Sequence, residues 1–156
     1  MSNIPACHLA QINVARMLHP FGDARMAGFV ARLERVNALA DAARGFIWRL
    51  QDESGNATGL NPFPDPMMLV NMSVLRSVEA LFEFVYRSGH TEPLRLRKGW
   101  FEKPARAPMA LWCLPAGELP TLADRRDRLE RLRRHGPTAE AFTFRHRLPP
   151  PRSLAA

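Results

Sequence analysis

Five polar residues interrupt otherwise apolar runs. Gln11 and Asn13 alternate with Ala10, Ile12 and Val14; Arg49 follows Phe46-Ile47-Trp48; Asn71 and Ser73 alternate with Val70, Met72 and Val74. An amide or guanidinium among apolar side chains is costly unless something hydrogen-bonds it. Such residues form either a satisfied internal network or the floor of a pocket, where a few polar groups orient a mostly apolar ligand. The pocket is the favoured reading, because Tyr86, His90 and Trp100 come from one later stretch that can close over the same side. In that pocket Asn13, Asn71 and Arg49 bind a carbonyl or enolate oxygen, as donors aimed at developing charge. Histidine is the side chain that ionises near neutral pH, which makes His90 the candidate to move a proton. Arg49, Asn71 and His90 are thus the catalytic candidates, with Gln11, Asn13, Gln51, Ser73, Tyr86 and Trp100 binding substrate. No carboxylate lies within two residues of Arg49, so an anionic or enolic ligand is its expected acceptor. The competing role of His90 is a helix-end cation interacting with the dipole.

Other chemistry is sparse. Cys7 and His8 are adjacent, which sends their side chains to opposite faces of a strand, and no histidines stand at metal-ligand spacing. No metal is expected. There is no glycine-rich dinucleotide fingerprint, P-loop or nucleophile elbow. Trp48, Trp100 and Trp112 could pack against an aromatic substrate, but tryptophans at strand or helix spacing read first as core, and Met67, Met68, Met72 and Met109 read as adaptable packing.

The elements that must carry these residues follow from periodicity and punctuation. Alternation predicts strands over 7–16, 46–52, 67–75 and 109–115. Asp23 is the expected N-cap of a helix to about Ala43, with Met26, Phe29, Val30, Leu33, Val36, Asn37 and Ala40 along its inner stripe and Gly45 as its stop. Ser77 caps a helix to about Ser88. A short helix follows Pro93, and Thr121 with Asp124 forms a capping box before an arginine-rich helix ending at Gly136-Pro137. Ala141 to Phe144 is a last apolar segment. The order strand, helix, strand, strand, helix, strand is the ferredoxin-like split βαβ of an α+β protein, with a four-stranded antiparallel sheet, helices on one face and an extra C-terminal helix. The sheet face bearing Ile12, Val14, Trp48, Leu50, Val70 and Met72 is then left bare. Burying it predicts a homodimer. One domain spans 1–148, followed by a flexible proline-rich tail over 149–156.

The 156 residues are 46% hydrophobic and 24% charged, the composition of a soluble globular chain. No run is long enough to span a membrane, and the N-terminus lacks a signal-peptide pattern, so a cytoplasmic location without a membrane partner is expected. The net charge of +7 is concentrated, with nine arginines in 125–152 against Asp127, Glu130 and Glu140. Asp124, Asp127 and Glu130 each precede an arginine by four residues, the favourable orientation for exposed helix pairs. That helix reads as a solvated face rather than a nucleic-acid site.

The chain also resembles the bacterial family DUF3291. The resemblance is carried by Leu9-Ala10-Gln11-Ile12-Asn13-Val14-Ala15-Arg16, Met26-Ala27-Gly28-Phe29-Val30, Val36-Asn37-Ala38-Leu39-Ala40-Asp41 and Gly45-Phe46-Ile47-Trp48-Arg49-Leu50-Gln51-Asp52. It continues through Leu69 to Val74, Ser77 to Leu81, Phe84 to Ser88, His90, Trp100-Phe101, Leu111-Trp112, Pro115-Ala116-Gly117 and Ala141 to Phe144. It implies the dimeric α+β barrel superfamily, which includes antibiotic-biosynthesis-type monooxygenases, muconolactone isomerase-like proteins and haem enzymes. The implied chemistry is cofactor-independent oxygenation, isomerisation or cyclisation of a partly apolar small molecule. The alternatives are haem held by His90 and a non-catalytic binding or sensing module. The same resemblance implies no catalytic role for Cys113.

Overall fold

The computed structural model describes residues 7–50, 65–87, 99–121 and 123–145. Gln51, His90, most of the loop before Pro66, residues 93–98 of the helix expected from Pro93 to about Phe101, and the tail lie outside them. So does the side chain of Tyr86, whose backbone falls in the second helix. Phe101 itself bridges to Met17 as extended chain rather than helix.

Strand β1 is Cys7–Arg16, and helix α1 is Ala27–Ala42, preceded by a 3₁₀ turn over Ala24–Met26. Strands β2 (Phe46–Arg49) and β3 (Met68–Leu75) follow, then α2 (Val78–Arg87), β4 (Met109–Pro115) and α3 (Asp124–His135). The sheet is four-stranded and antiparallel in the order β2-β3-β1-β4. That is the ferredoxin-like order expected from the alternation of elements, with β1 and β3 central.

The helix starts are set locally, as their residues predict. Asp23 accepts from the Arg25 N–H at 2.8 Å and so caps the 3₁₀ turn rather than α1, whose N-cap residue Met26 makes no side-chain cap bond, and Ser77 Oγ accepts from the Ala80 N–H at 3.1 Å. Thr121 and Asp124 exchange hydrogen bonds of 2.9 and 3.1 Å, so the shorter aspartate closes the capping box. Gly45 ends α1's return with φ +83°, and a Cβ there would stand 2.8 Å from that of Ala80. Only glycine meets both the left-handed backbone and the close helix approach.

Regular alternation fails in β2. Phe46 pairs with Leu75 but Trp48 with Val74 and Arg49 with Ser73, so a bulge falls at Ile47. The extra residue sends Phe46 and Arg49 to the same face, where strict alternation had opposed them, and leaves Ile47 exposed.

One face of the sheet is solid. Ala10, Ile12, Val14, Val70, Met72, Val74, Ala110, Trp112 and Leu114 cluster there with Leu129 and Leu132 of α3. This corrects the expectation of a bare face. Ile12, Val14, Leu50, Val70 and Met72 are each at most 6% exposed within a single chain, and Trp48 packs against them half-buried. Although α3 is rich in arginine, its two leucines three residues apart form an apolar stripe, and Arg128 lies over the Trp112 ring at 5.4 Å. Burial of this face therefore needs no second copy.

The helix's ion pairs follow the expected pattern only in part. Arg128 meets Asp124 at 3.2 Å, but Arg131 pairs with Glu140 rather than Asp127. Glu140 lies on a return segment that brings Phe142 against β4, where Phe142 and Leu111 exchange two 2.8 Å backbone hydrogen bonds. The pairing was invisible to helix spacing because the carboxylate arrives from outside the helix.

Candidate functional site

The opposite face is hollow. A cavity of about 360 Å³ separates its middle from α1 and α2. Gln11, Asn13, Arg49, Asn71, Ser73 and Trp100 all line it. The sheet register explains the convergence: Asn13 stands opposite Asn71, and in the next row Gln11, Ser73 and Arg49 lie side by side on three neighbouring strands. Parity along the strands thus brings together every described residue proposed for the floor.

Part of that floor is an internal network. The Gln11 amide nitrogen donates to Asn71 Oδ1 at 2.7 Å and to Ser73 Oγ at 2.9 Å. Gln11 and Ser73 are only 3% and 5% exposed. Gln11 Oε1 is buried and has no hydrogen-bond partner among the described residues. Asn71 differs, because it is exposed although β3 is a central strand. An exposed residue there requires open volume above it, which the cavity supplies.

Arg49 departs from its expected role. Its guanidinium meets Asp41 of α1 through two hydrogen bonds, 2.8 and 3.2 Å long. The expected anionic ligand is therefore not needed as its acceptor. Asp41 is eight residues away in sequence, beyond the reach of a spacing rule for one element, and the turn at Gly45 folds it back. Arg49 remains part of the wall as one half of a neutral pair.

An aromatic wall faces the amides. Phe29 packs against Trp100 at 5.7 Å and edge-on against Phe101 at 5.0 Å. The Trp100 segment is stitched to the end of β1: Leu18 N–H donates to Trp100 O at 2.8 Å, and Glu102 N–H donates to Arg16 O at 2.9 Å. Arg16 clamps the same corner through Asp65 and Glu102, at 2.8 and 2.9 Å. The Met67 backbone N–H and the Arg16 guanidinium hold the Asp65 carboxyl below its ordinary range. Trp100 lies so close to α1 that a Cβ on Gly28 would stand 3.1 Å from its ring. Arg32 covers the ring at 5.4 Å.

The sequence reading did not select Arg32, Asn37 or Asp41. The first two line the cavity from α1. Their signal was present: Arg32 and Asn37 sit beside Phe29, Leu33, Val36 and Ala40 on the inner stripe, where a wholly packed helix carries apolar residues. Among the described lining residues none is Asp, Glu, His, Cys, Lys or Tyr. The proton-transfer and haem-ligand roles considered for His90 fall on a residue outside the described ones. Among the described residues no group of three metal-ligating side chains occurs and no helix is long and apolar enough to cross a membrane. Cys113 is on this sheet face but not on the cavity; burial and its neighbour Cys7 push its thiol up to about 12.

Residues 8–156 match the family model described as a domain of unknown function, DUF3291. The chain belongs to DUF3291. No match is found among curated proteins. Among solved structures, this DUF3291 chain is similar to SnoaB, a cofactor-independent oxygenase from Streptomyces nogalater, at 15% identity and a TM-score of 0.47, over 74% of this chain and 100% of that one. A protein of unknown function from Nitrosomonas europaea is 13% identical over 74% of this chain and 97% of its own, with a TM-score of 0.48. PA3566 from Pseudomonas aeruginosa is 12% identical over 76% and 100%, with a TM-score of 0.47. These likenesses are shallow, and the fold assignment of the DUF3291 chain rests on its own strand order.

Proposed function

We propose that this DUF3291 protein binds a small, partly apolar molecule in the cavity between its sheet and α1 and α2, and acts on a carbonyl or enol group of that molecule without a cofactor. The observation that carries the reading is Asn71, exposed in the middle of a central strand beneath an aromatic wall. An unfilled volume above a polar sheet face weakens packing. A ligand that buries its rings against Phe29, Trp100 and Phe101 and bonds the amides below restores that packing.

The reaction class, namely oxygenation, isomerisation or cyclisation, comes from the superfamily resemblance. The contribution of the described residues is electrostatic: the side-chain amides of Asn13 and Asn71 can stabilise negative charge developing on a substrate oxygen. A non-catalytic binding module is the second reading, favoured by the lack of a group titrating near neutral pH among the described lining residues. Both readings require binding. The homodimer is retained as a proposal supported by the resemblance alone, and sedimentation equilibrium at micromolar concentration tests it.

Calorimetric titration with aryl ketones tests the site. Saturable binding that weakens on the order of tenfold in Asn71→Leu supports it, that loss corresponding to ~1.4 kcal/mol. Absence of saturable binding across a panel of neutral aryl ketones overturns it. Consumption of ketone or enol with oxygen uptake separates an oxygenase from a binding module, and a Soret band in the purified protein overturns the cofactor-free form.

A further inference from the structure

The amide pair at the floor has a defined direction. Both N–H bonds of Gln11 are committed, one to Asn71 Oδ1 at 2.7 Å and the other to Ser73 Oγ at 2.9 Å. At 3% exposure, Gln11 is shielded from competing water. The Ser73 hydroxyl can accept or donate, so the direction is carried by the Asn71 contact, in which the Gln11 N–H2 edge meets Asn71 Oδ1. With its oxygen engaged by Gln11, Asn71 must carry its N–H2 group on the other side of the same planar amide, away from Gln11. That group has no partner among the described residues, while Asn71 is exposed and lines the cavity.

The arrangement leaves Gln11 Oε1 buried and without a partner among the described residues. Turning the Gln11 amide over would bring that oxygen toward Asn71, which would then turn as well and present its own oxygen to the cavity. The orientation of one buried amide therefore selects whether Asn71 offers the cavity a donor or an acceptor. The nearby cation does not override this polarity, because the Arg49 guanidinium is paired with Asp41.

We infer that Gln11 is a positioning residue that holds the Asn71 carboxamide with its N–H2 edge toward the cavity, so that the ligand is recognised through a neutral carbonyl oxygen. The inference rests on the cavity being a ligand site, as proposed above. It adds the polarity of the recognised group and the residue that sets it.

The test uses two probes of nearly one shape, acetophenone and α-methylstyrene, in which a carbonyl oxygen is exchanged for a methylene. The readout is the ratio of their affinities for the full chain. Water solvates the ketone better, so the ratio is compared between proteins and not with unity. Gln11→Met keeps side-chain length and removes both donors. It is expected to lower the ketone-to-alkene ratio about fivefold, the effect of one net hydrogen bond, while α-methylstyrene binding stays within about twofold. Asn71→Asp, at an exposed position, replaces the donor edge with oxygen and is expected to lower the ratio at least as far, which keeps the test open if Gln11→Met does not fold. An unchanged ratio in either variant overturns the inference while leaving the binding site standing. Equal loss of both probes in Gln11→Met makes Gln11 merely structural and overturns it too. Failure of the wild-type protein to bind either probe or any member of the aryl ketone panel removes both the inference and the site beneath it.

Discussion

Along β1, alternate side chains of one strand meet two different environments. Ala10, Ile12 and Val14 are at most 5% exposed and pack with Met72, Trp112, Leu129 and Leu132. Their neighbours Gln11, Asn13 and Ala15 point the other way and line a cavity. Backbone, register and strand partners are shared by both sets. The difference lies in the covering layer. Two leucines of α3 seat directly on the aliphatic face, whereas α1 stands off from the sheet and leaves most of its inner stripe half-buried, with Ala40 the buried residue of that helix. The filled face carries the stability of the sheet, and the hollow face is free to carry recognition.

The largest effect should come from the filled face. Trp112→Ala removes a ring that is 1% exposed and takes away the surface under Arg128. It is expected to cost about 3–5 kcal/mol of unfolding free energy in a denaturant titration. A loss below about 1 kcal/mol would mean that α3 does not seat as described.

A matched pair of leucines sharpens the contrast. Leu132 is 4% exposed in the core, while Leu33 is half-buried at the cavity wall. Leu132→Ala should cost roughly 2–5 kcal/mol, and Leu33→Ala roughly 1 kcal/mol or less because its site is already underpacked. Equal losses in thermal or chemical unfolding would erase the distinction between the two faces.

Gly28→Ala probes the cavity wall itself. Alanine favours the helix by about 1 kcal/mol, but its Cβ would press on the Trp100 ring from 3.1 Å. These effects oppose each other, so net stability should change by less than about 1 kcal/mol. Ligand affinity and tryptophan emission should shift as the wall moves. Affinity identical to wild type would place Trp100 outside the binding surface.

The smallest effect is a pH dependence. The Cys113 thiol ionises near 9.0 in an unfolded chain and is pushed up to about 12 in the fold by burial and by Cys7. The folded state thus keeps the proton longer, so this contribution is fully present below about pH 9 and is lost as pH rises toward about 12. Cys113→Ala should flatten that part of the stability curve. Alkylation at pH 8 should be slow until the chain unfolds, and rapid modification of folded Cys113 would contradict its protected environment.

Much of this architecture was legible locally. The limits of β1 and β4 coincide with their alternating runs, and β3 differs by one residue at its start. Asp23, Ser77 and the Thr121–Asp124 box act at helix starts because capping needs only residues two or three positions apart. Gln11, Asn13, Asn71 and Ser73 could be placed together because side-chain parity is conserved across a paired sheet.

Tertiary structure decided the rest. A single extra residue at Ile47 altered which side chains of β2 share a face, and bulges are set by pairing across strands rather than by composition. Asp41 reached Arg49, and Glu140 reached Arg131, from neighbouring elements whose approach no spacing rule within one helix specifies. The same limit applies to the covering layers. Hydrophobic periodicity shows that a strand or helix has an apolar side, but it carries no address for the partner that side will meet. That α3 fills one face while α1 spans a cavity on the other depends on loop reach and side-chain volume across the whole sheet, and those become determinate only when the elements pack.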